Sequence, residues 1–113
     1  MAERETIGYA DFERVEMRVG RVVRAEPFPE ARKPALKLWI DFGELGVKRS
    51  SAQITAFYDA EGLVGGQVIA VTNFPPKQIA NFVSEVLVLG VPRDGEVVLL
   101  EPEREVPVGG RVY

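Results

Sequence analysis

The sequence predicts an all-β fold, a small closed barrel of five strands with short helical turns and an extension at each end. The apolar segments are short, and Gly, Pro and Asn residues separate them, as in strands joined by tight turns. At 113 residues the chain is long enough for one hydrophobic core but not for two. We therefore expect a single domain over residues 1–113, with a core at about 15–102.

The first element is predicted to be one helical turn over residues 9–15. Asp11 is placed to act as its N-cap. Phe12 and Val15 form a small apolar face, and we expect this face to plug one end of the barrel.

The first strand is predicted over residues 17–25, with Gly20 in its middle. The apolar residues of this strand do not keep one parity, and a glycine at mid-strand predicts a bend or bulge that resolves the conflict. The segment 27–34 that follows is rich in proline and predicts a loop, with Phe28 exposed between two prolines.

The second strand shows the clearest alternation in the chain, over residues 36–42. Its leucine, isoleucine and phenylalanine side chains share one face, whereas Lys37, Trp39 and Asp41 share the other. An outward Trp often marks a contact surface, so we expect Trp39 to contact a ligand or a second subunit. The alternative is that a loop or a chain terminus covers it.

The remaining elements follow in short steps: a turn at 43–46, a third strand at 47–51, a helical or turn segment at 59–66, a fourth strand at 67–72 and a last long strand at 96–100. The only internal helix therefore lies between the third and fourth strands, which is the order of the oligonucleotide/oligosaccharide-binding (OB) barrel. Apolar residues in the tail, from Val106 to Tyr113, indicate that it packs against the barrel.

The stretch from Asn73 to Glu85 is the least generic part of the chain. Pro75 and Pro76 cannot donate to a strand ladder, so they must end the fourth strand. An apolar run then follows Glu85 and predicts a buried strand. We interpret Asn73, Lys77, Ser84 and Glu85 as a polar cluster beside this corner, with a plain turn between two strands as the alternative.

Charge is distributed unevenly along the chain, whose net charge is −3. Residues 17–58 carry four acidic and eight basic side chains: Arg18, Arg21, Arg24, Arg32, Lys33, Lys37, Lys48 and Arg49. This pattern fits a local basic face that binds phosphates, or simply solvated strand edges.

Composition excludes much chemistry. Without His or Cys, the usual zinc sites and the Ser-His-Asp and Cys-His nucleophilic arrangements are ruled out. No Asp-x-Asp pair or glycine-rich phosphate loop appears either, so we expect no enzyme activity, no metal and no cofactor. The acidic N-terminus has no apolar signal region, and no apolar stretch would span a bilayer, so we expect a cytoplasmic protein without membrane insertion.

Several motifs resemble those of the tRNA-binding-domain family: Asp11 to Gly20, Ser50 to Ile54, Leu63 to Gly65, Asn73 to Lys77, and Ser84-Glu85. That family has an OB barrel and includes the C-terminal appendage of bacterial methionyl-tRNA synthetases and free-standing tRNA binders. Within it, residues 28–35 and 73–79 most resemble the CsaA branch of secretion-related chaperones. The resemblance implies a homodimer that binds exported preproteins. Apolar residues continue into both termini, so we expect the terminal extensions to lie in the dimer contact.

The chain departs from the tRNA-binding pattern at Phe74, Pro75 and Gln78, where one basic residue is missing. We therefore expect unfolded polypeptide as the ligand. An apolar groove near Trp39, Phe28 and Phe74 would take its side chains, and the polar cluster would hold its backbone. The full set of candidate binding residues is Phe28, Arg32, Lys33, Lys37, Trp39, Arg49, Asn73, Phe74, Pro75, Lys77, Ser84 and Glu85.

The rival interpretation is structure-specific tRNA binding by the same barrel. Trp39 would then be a stacking platform. Phosphates would contact Arg32, Lys33, Lys37, Arg49 and Lys77. A third alternative is an accessory dimerisation domain whose partner is another protein, such as a component of the export machinery.

Overall fold

The computed structural model describes residues 4–113, so the first three residues of the acidic N-terminal segment lie outside it. Its strands are β1 (Met17–Pro27), β2 (Leu36–Asp41), β3 (Val47–Ala52), β4 (Gln67–Val71), β5 (Lys77–Ile79), β6 (Phe82–Ser84), β7 (Leu87–Val88), β8 (Gly90–Arg93) and β9 (Glu96–Leu99). Its helices are α1 (Tyr9–Glu13) and α2 (Ala60–Leu63), and a single 3-10 turn, Gly43–Leu45, joins β2 to β3.

One antiparallel sheet, in the order β3-β2-β1-β4-β7, forms the barrel. The predicted all-β fold with five barrel strands is confirmed. The helix α2 lies between β3 and β4, as the OB order requires, and Asp59 caps it by accepting a hydrogen bond from the Gly62 N–H at 2.6 Å. Two hairpins, β5–β6 and β8–β9, form separate two-stranded sheets. No helix among residues 4–113 has the length and apolar character needed to cross a membrane.

The core is built mainly from one face of β2. Leu36, Leu38, Ile40 and Phe42 are all buried, and Leu63 of α2 joins them in the main apolar cluster. The alternation predicted for residues 36–42 is therefore confirmed. Because one face of β2 is buried, a shift of one residue would expose all of these side chains, so the register of this strand is strongly determined.

The role expected of Gly20 is corrected by the structure. The irregularity in the pairing of β1 with β2 lies between Val22 and Arg24, not at Gly20. Gly20 instead lets β1 approach the core closely, since a Cβ there would lie 2.4 Å from Ile40 Cγ2 and 2.7 Å from Phe42 Cε1. A mid-strand glycine is compatible with either role.

The structure also corrects two expectations for α1. Its N-cap is Gly8, and Asp11 lies in the first turn, where its side chain accepts a hydrogen bond from the Gly8 N–H at 3.0 Å. Phe12 of α1 and Val15 just after it are only half-buried and join neither apolar core cluster, so they do not plug the barrel. The helix that adds a side chain to the barrel core is α2.

The tail runs along β1, as predicted. The Gly109 N–H donates to the Val19 carbonyl at 2.7 Å, and the Val19 N–H donates to the Gly110 carbonyl at 2.9 Å. The Val112 N–H then donates to the Met17 carbonyl at 2.8 Å. The exception is the last side chain, because Tyr113 is 97% exposed and packs against nothing in the barrel.

A small polar network joins the start of β1 to the end of β4. The Glu16 carboxylate accepts hydrogen bonds from Arg18 Nε at 3.0 Å and from Thr72 Oγ1 at 2.6 Å. These hydrogen bonds, that from Arg18 first, lower the pKa of Glu16 from its ordinary value of 4.5. Glu16 is therefore charged at neutral pH, where it holds the two strand ends together.

Gly20→Ala should destabilise the barrel by about 1–3 kcal/mol, because its Cβ would overlap two core side chains that cannot easily move. The free energy of unfolding in urea measures this. Gly110→Ala is the matched control, because its nearest contact would be an ordinary 3.4 Å to the Pro107 carbonyl. Equal stability of the two variants would contradict the packing described for Gly20.

Candidate ligand-binding groove

The β1–β2 loop and the β5–β6 hairpin stand beside the outer end of β3 and enclose an open groove of about 860 Å³. We call it the basic groove. Its cations are Arg32, Lys33 and Lys77, and its one acid is Glu30. Its remaining lining is polar (Ser51, Gln53 and Gln78) or apolar (Ala31, Ala35, Ile79 and Ala80). This is the face at which OB barrels commonly bind their ligands.

Phe28 supports the groove from beneath instead of being exposed. It is only 3% exposed, which contradicts the expectation for this residue. Its ring packs edge-to-face against Phe82 with a centroid separation of 5.5 Å, and the Phe28 N–H donates to the Ala35 carbonyl at 3.1 Å. The flanking prolines limit the backbone, but they do not determine which side chain from elsewhere covers the ring.

Trp39 lies on the outer face of β2, as predicted, but the side chains of Phe82 and Arg24 cover its ring. Phe82 packs against it edge-to-face at 5.6 Å, and the Arg24 guanidinium carbon lies 4.2 Å from its ring centroid. A cation over an indole ring is itself stabilising. Trp39 is therefore half-buried structural support beside the groove, and it is not a free aromatic anchor.

Two of the predicted cations are already paired with carboxylates. Lys37 Nζ lies 3.8 Å from Glu26 Oε1, and its side chain is only 18% exposed. Arg49 Nε lies 3.3 Å from Glu85 Oε1. By contrast, Arg32, Lys33 and Lys77 are exposed and make no ion pair within residues 4–113.

Asn73 does not belong to the polar cluster in which the sequence placed it. Its Oδ1 accepts a hydrogen bond from the Glu16 N–H at 2.9 Å, and its Nδ2 donates to the Arg14 carbonyl at 2.8 Å. Asn73 thus attaches the N-terminal segment to the end of β4. Its partners lie 57 and 59 residues away in sequence, so no local pattern could indicate them.

Ser84 and Glu85 close the barrel by occupying the outer edge of β3. The Ser51 N–H donates to Ser84 Oγ at 3.0 Å, and the Arg49 N–H donates to Glu85 Oε1 at 3.0 Å. In return, the Glu85 N–H donates to the Arg49 carbonyl at 2.7 Å. Side chains therefore supply acceptors where a neighbouring strand would normally do so.

Lys77 remains near Ser84 and Glu85, since it pairs with Ser84 across the β5–β6 hairpin. It also lines a second, smaller pocket of about 240 Å³, together with Phe74, Pro75 and Leu87. Phe74 is half exposed there, on a pocket that Trp39 does not line. Phe28 and Trp39 therefore belong to one cluster around Phe82, and Phe74, the third aromatic residue proposed for the apolar groove, lies apart from them.

The β5–β6 hairpin and the groove residues Ser51, Gln53 and Gln78 were not predicted from the sequence. The hairpin turn contains Ala80, which adopts a left-handed φ of 50° although it is not glycine. Without Gly, the usual signal for such a turn is absent. No group of three or more acidic side chains in the described part of the chain is arranged to hold a metal ion.

A family model described as "Putative tRNA binding domain" matches residues 17–111, which include the whole barrel sheet. The chain belongs to this tRNA-binding-domain family. It is similar to the crystal structure of chaperone CsaA from Bacillus anthracis, with 55% identity and a TM-score of 0.90. It is also similar to the CsaA chaperone protein from Picrophilus torridus, with 50% identity and a TM-score of 0.89. Both comparisons cover 96% of this chain and 100% of the other, so the resemblance noted from the motifs is confirmed.

Methionine–tRNA ligases are a second group of relatives. The ligase of Archaeoglobus fulgidus is 35% identical over 112 residues, which are 99% of this chain but 17% of the ligase. The chain therefore spans about one sixth of these curated relatives.

Ser84→Ala and Glu85→Ala should each destabilise the barrel by about 1–3 kcal/mol, because each change leaves an N–H of β3 without its acceptor. Chemical unfolding measures the loss. Glu96→Ala, a change at an exposed carboxylate without an ion pair in the described chain, should alter stability little. If all three variants have the same free energy of unfolding as the wild type, side chains do not close the barrel.

Proposed function

We propose that this chain is a non-catalytic binding protein of the CsaA type, which holds unfolded or exported preproteins in the cytoplasm. The observation that carries the proposal is the composition of the basic groove. Its surface combines small apolar residues with amide and hydroxyl groups, a mixture suited to an extended polypeptide. The near full-length similarity to two CsaA chaperones supports the same conclusion.

Binding of tRNA is the second candidate. The observation that favours it is the set of exposed cations in the groove, Arg32, Lys33 and Lys77, which are free to contact phosphates. The family model and the methionine–tRNA ligases add support. Against it, Arg24 and Phe82 cover Trp39, which removes the expected stacking platform.

We also infer that two copies associate through the terminal segments and the β8–β9 hairpin. Large apolar side chains are exposed there, at Ile7, Tyr9, Val91 and Leu100. Exposed apolar groups of this kind mark interaction surfaces when they form a patch. This contact would leave the basic groove open.

Light scattering should give twice the chain mass of 12.5 kDa at micromolar concentration. Val91→Asp should shift the mass toward one chain, because it places a charge in the proposed contact. Val64→Asp, at a similarly exposed valine outside the terminal segments and the hairpin, is the control for a general effect of added negative charge. A wild-type mass of 12.5 kDa would contradict the dimer.

Titration with a reduced, permanently unfolded polypeptide and with tRNA, each over a salt series, distinguishes the two functions. We expect the polypeptide to bind with weak salt dependence, because apolar and main-chain contacts contribute. Each phosphate contact would instead add about 0.9 to the slope of log affinity against log salt. Tight tRNA binding with a steep slope, and no polypeptide binding, would overturn the proposal.

The charge-reversal variant Lys33→Glu, Lys77→Glu completes the test. It should lower the tRNA slope by about two units if these side chains contact phosphates. Arg93→Glu lies outside the groove lining and is the matched control.

A further inference from the structure

The hydrogen bonds that close the barrel stop at Ser51. Backbone groups of alternate residues point to the same edge of a strand, so Arg49 and Ser51 share the outer edge of β3, and Gln53 follows directly after the strand. The backbone N–H and C=O of Arg49 are hydrogen bonded to Glu85. The Ser51 N–H is hydrogen bonded to Ser84. The Ser51 carbonyl accepts only a long bond of 3.4 Å from Ser50 Oγ, and Gln53 makes no backbone hydrogen bond within residues 4–113.

A second free edge lies on β5. The β5–β6 hairpin has a two-residue turn, so its closing pair, Ile79 and Phe82, is hydrogen bonded. Because hydrogen-bonded and non-bonded pairs alternate, the N–H and C=O of Gln78 point away from β6. The Gln78 side chain is fixed by a 2.8 Å hydrogen bond from Nε2 to the Ala80 carbonyl.

Gln53 and Gln78, the residues that carry these free groups, both line the basic groove. We propose that an extended polypeptide segment carrying acidic side chains binds there as a strand added to β5, hydrogen bonded to the N–H and C=O of Gln78. This inference deepens the proposed function and rests on it. Main-chain hydrogen bonds would let the protein bind polypeptides of many sequences, since every sequence offers the same main-chain groups.

Charge selects which segments bind best. Arg32, Lys33 and Lys77 face the groove against the single acid Glu30, so a segment with carboxylates is favoured over one with lysines. The phosphates of a nucleic acid could also contact these cations. A nucleic acid has no peptide N–H and C=O groups, however, to pair with those of Gln78. The two free edges therefore favour polypeptide over RNA.

The test uses a blocked ten-residue peptide of threonine, alanine and serine with two central glutamates. Single backbone N-methyl groups are placed along it in turn. An added strand directs alternate N–H groups toward the protein, so methylation at alternate positions should weaken binding about tenfold, and the intervening positions should be nearly neutral. Losses without a two-residue period would overturn the added strand. Equal binding of the peptide with lysines in place of glutamates would overturn the charge preference.

A variant tests the same contact from the protein side. Gln78→Pro removes the outward N–H and should weaken binding about tenfold, whereas Gln78→Ala removes the side chain but keeps that N–H and should bind normally. Amide hydrogen exchange in the wild type avoids any folding defect of the proline variant. The Gln78 amide should become protected when the peptide saturates the protein, and unchanged exchange there would contradict the inference.

Failure of this inference is distinguishable from failure of the proposed function. If unfolded polypeptide binds but the N-methyl series shows no two-residue period, the chain binds polypeptide in another way and only the added strand is wrong. If neither the peptide nor unfolded polypeptide binds while tRNA does, the proposed function itself is wrong.

Discussion

The contact between β3 and the Ser84-Glu85 segment is the constraint on which the rest of this structure depends. It closes the barrel with two side-chain acceptors and one backbone pair, because β7 is only two residues long. A longer β7 paired along the whole of β3 would leave no open edge. The hydrogen bonds from Ser84 and Glu85 reach only Arg49 and the Ser51 N–H. The backbone that follows, at Gln53, is therefore left available to a ligand.

The aromatic cluster gives this open region its rigidity. Phe82 of the hairpin packs against Phe28 of the β1–β2 loop and against Trp39 of β2. Each such pair contributes about 0.5–1.5 kcal/mol beyond the area it buries. One side chain thus joins both walls of the groove to the sheet. A rigid groove loses less conformational entropy on binding than a mobile one.

The parts of the structure that follow from local sequence were predictable. Strict alternation identified the buried face of β2, and the helical or turn segment predicted at residues 59–66 contains α2. Arg32, Lys33 and Lys77 line the groove, and their contact with a ligand stays a prediction. The errors arose where the decisive partner is remote in sequence. The burial of Phe28 depends on Phe82, and the charge of Arg49 is offset by Glu85, 36 residues later.

The same reasoning explains why the function of single motif residues was misassigned. Asn73 and Glu85 are polar residues beside a proline corner, which is the pattern expected of a binding site. Their hydrogen bonds are directed inward, to the N-terminal segment and to β3. Residues that bind a ligand must keep unsatisfied groups. In the proposed site, such groups are the backbones of Gln53 and Gln78 and the three exposed cations of the groove.

The most direct test of this account is a map of backbone amide chemical shifts during titration with unfolded polypeptide. We predict that the largest changes fall within residues 30–35, 51–53 and 77–80, which enclose the basic groove. Changes confined to the β8–β9 hairpin and the chain termini, with the groove amides unmoved, would contradict it.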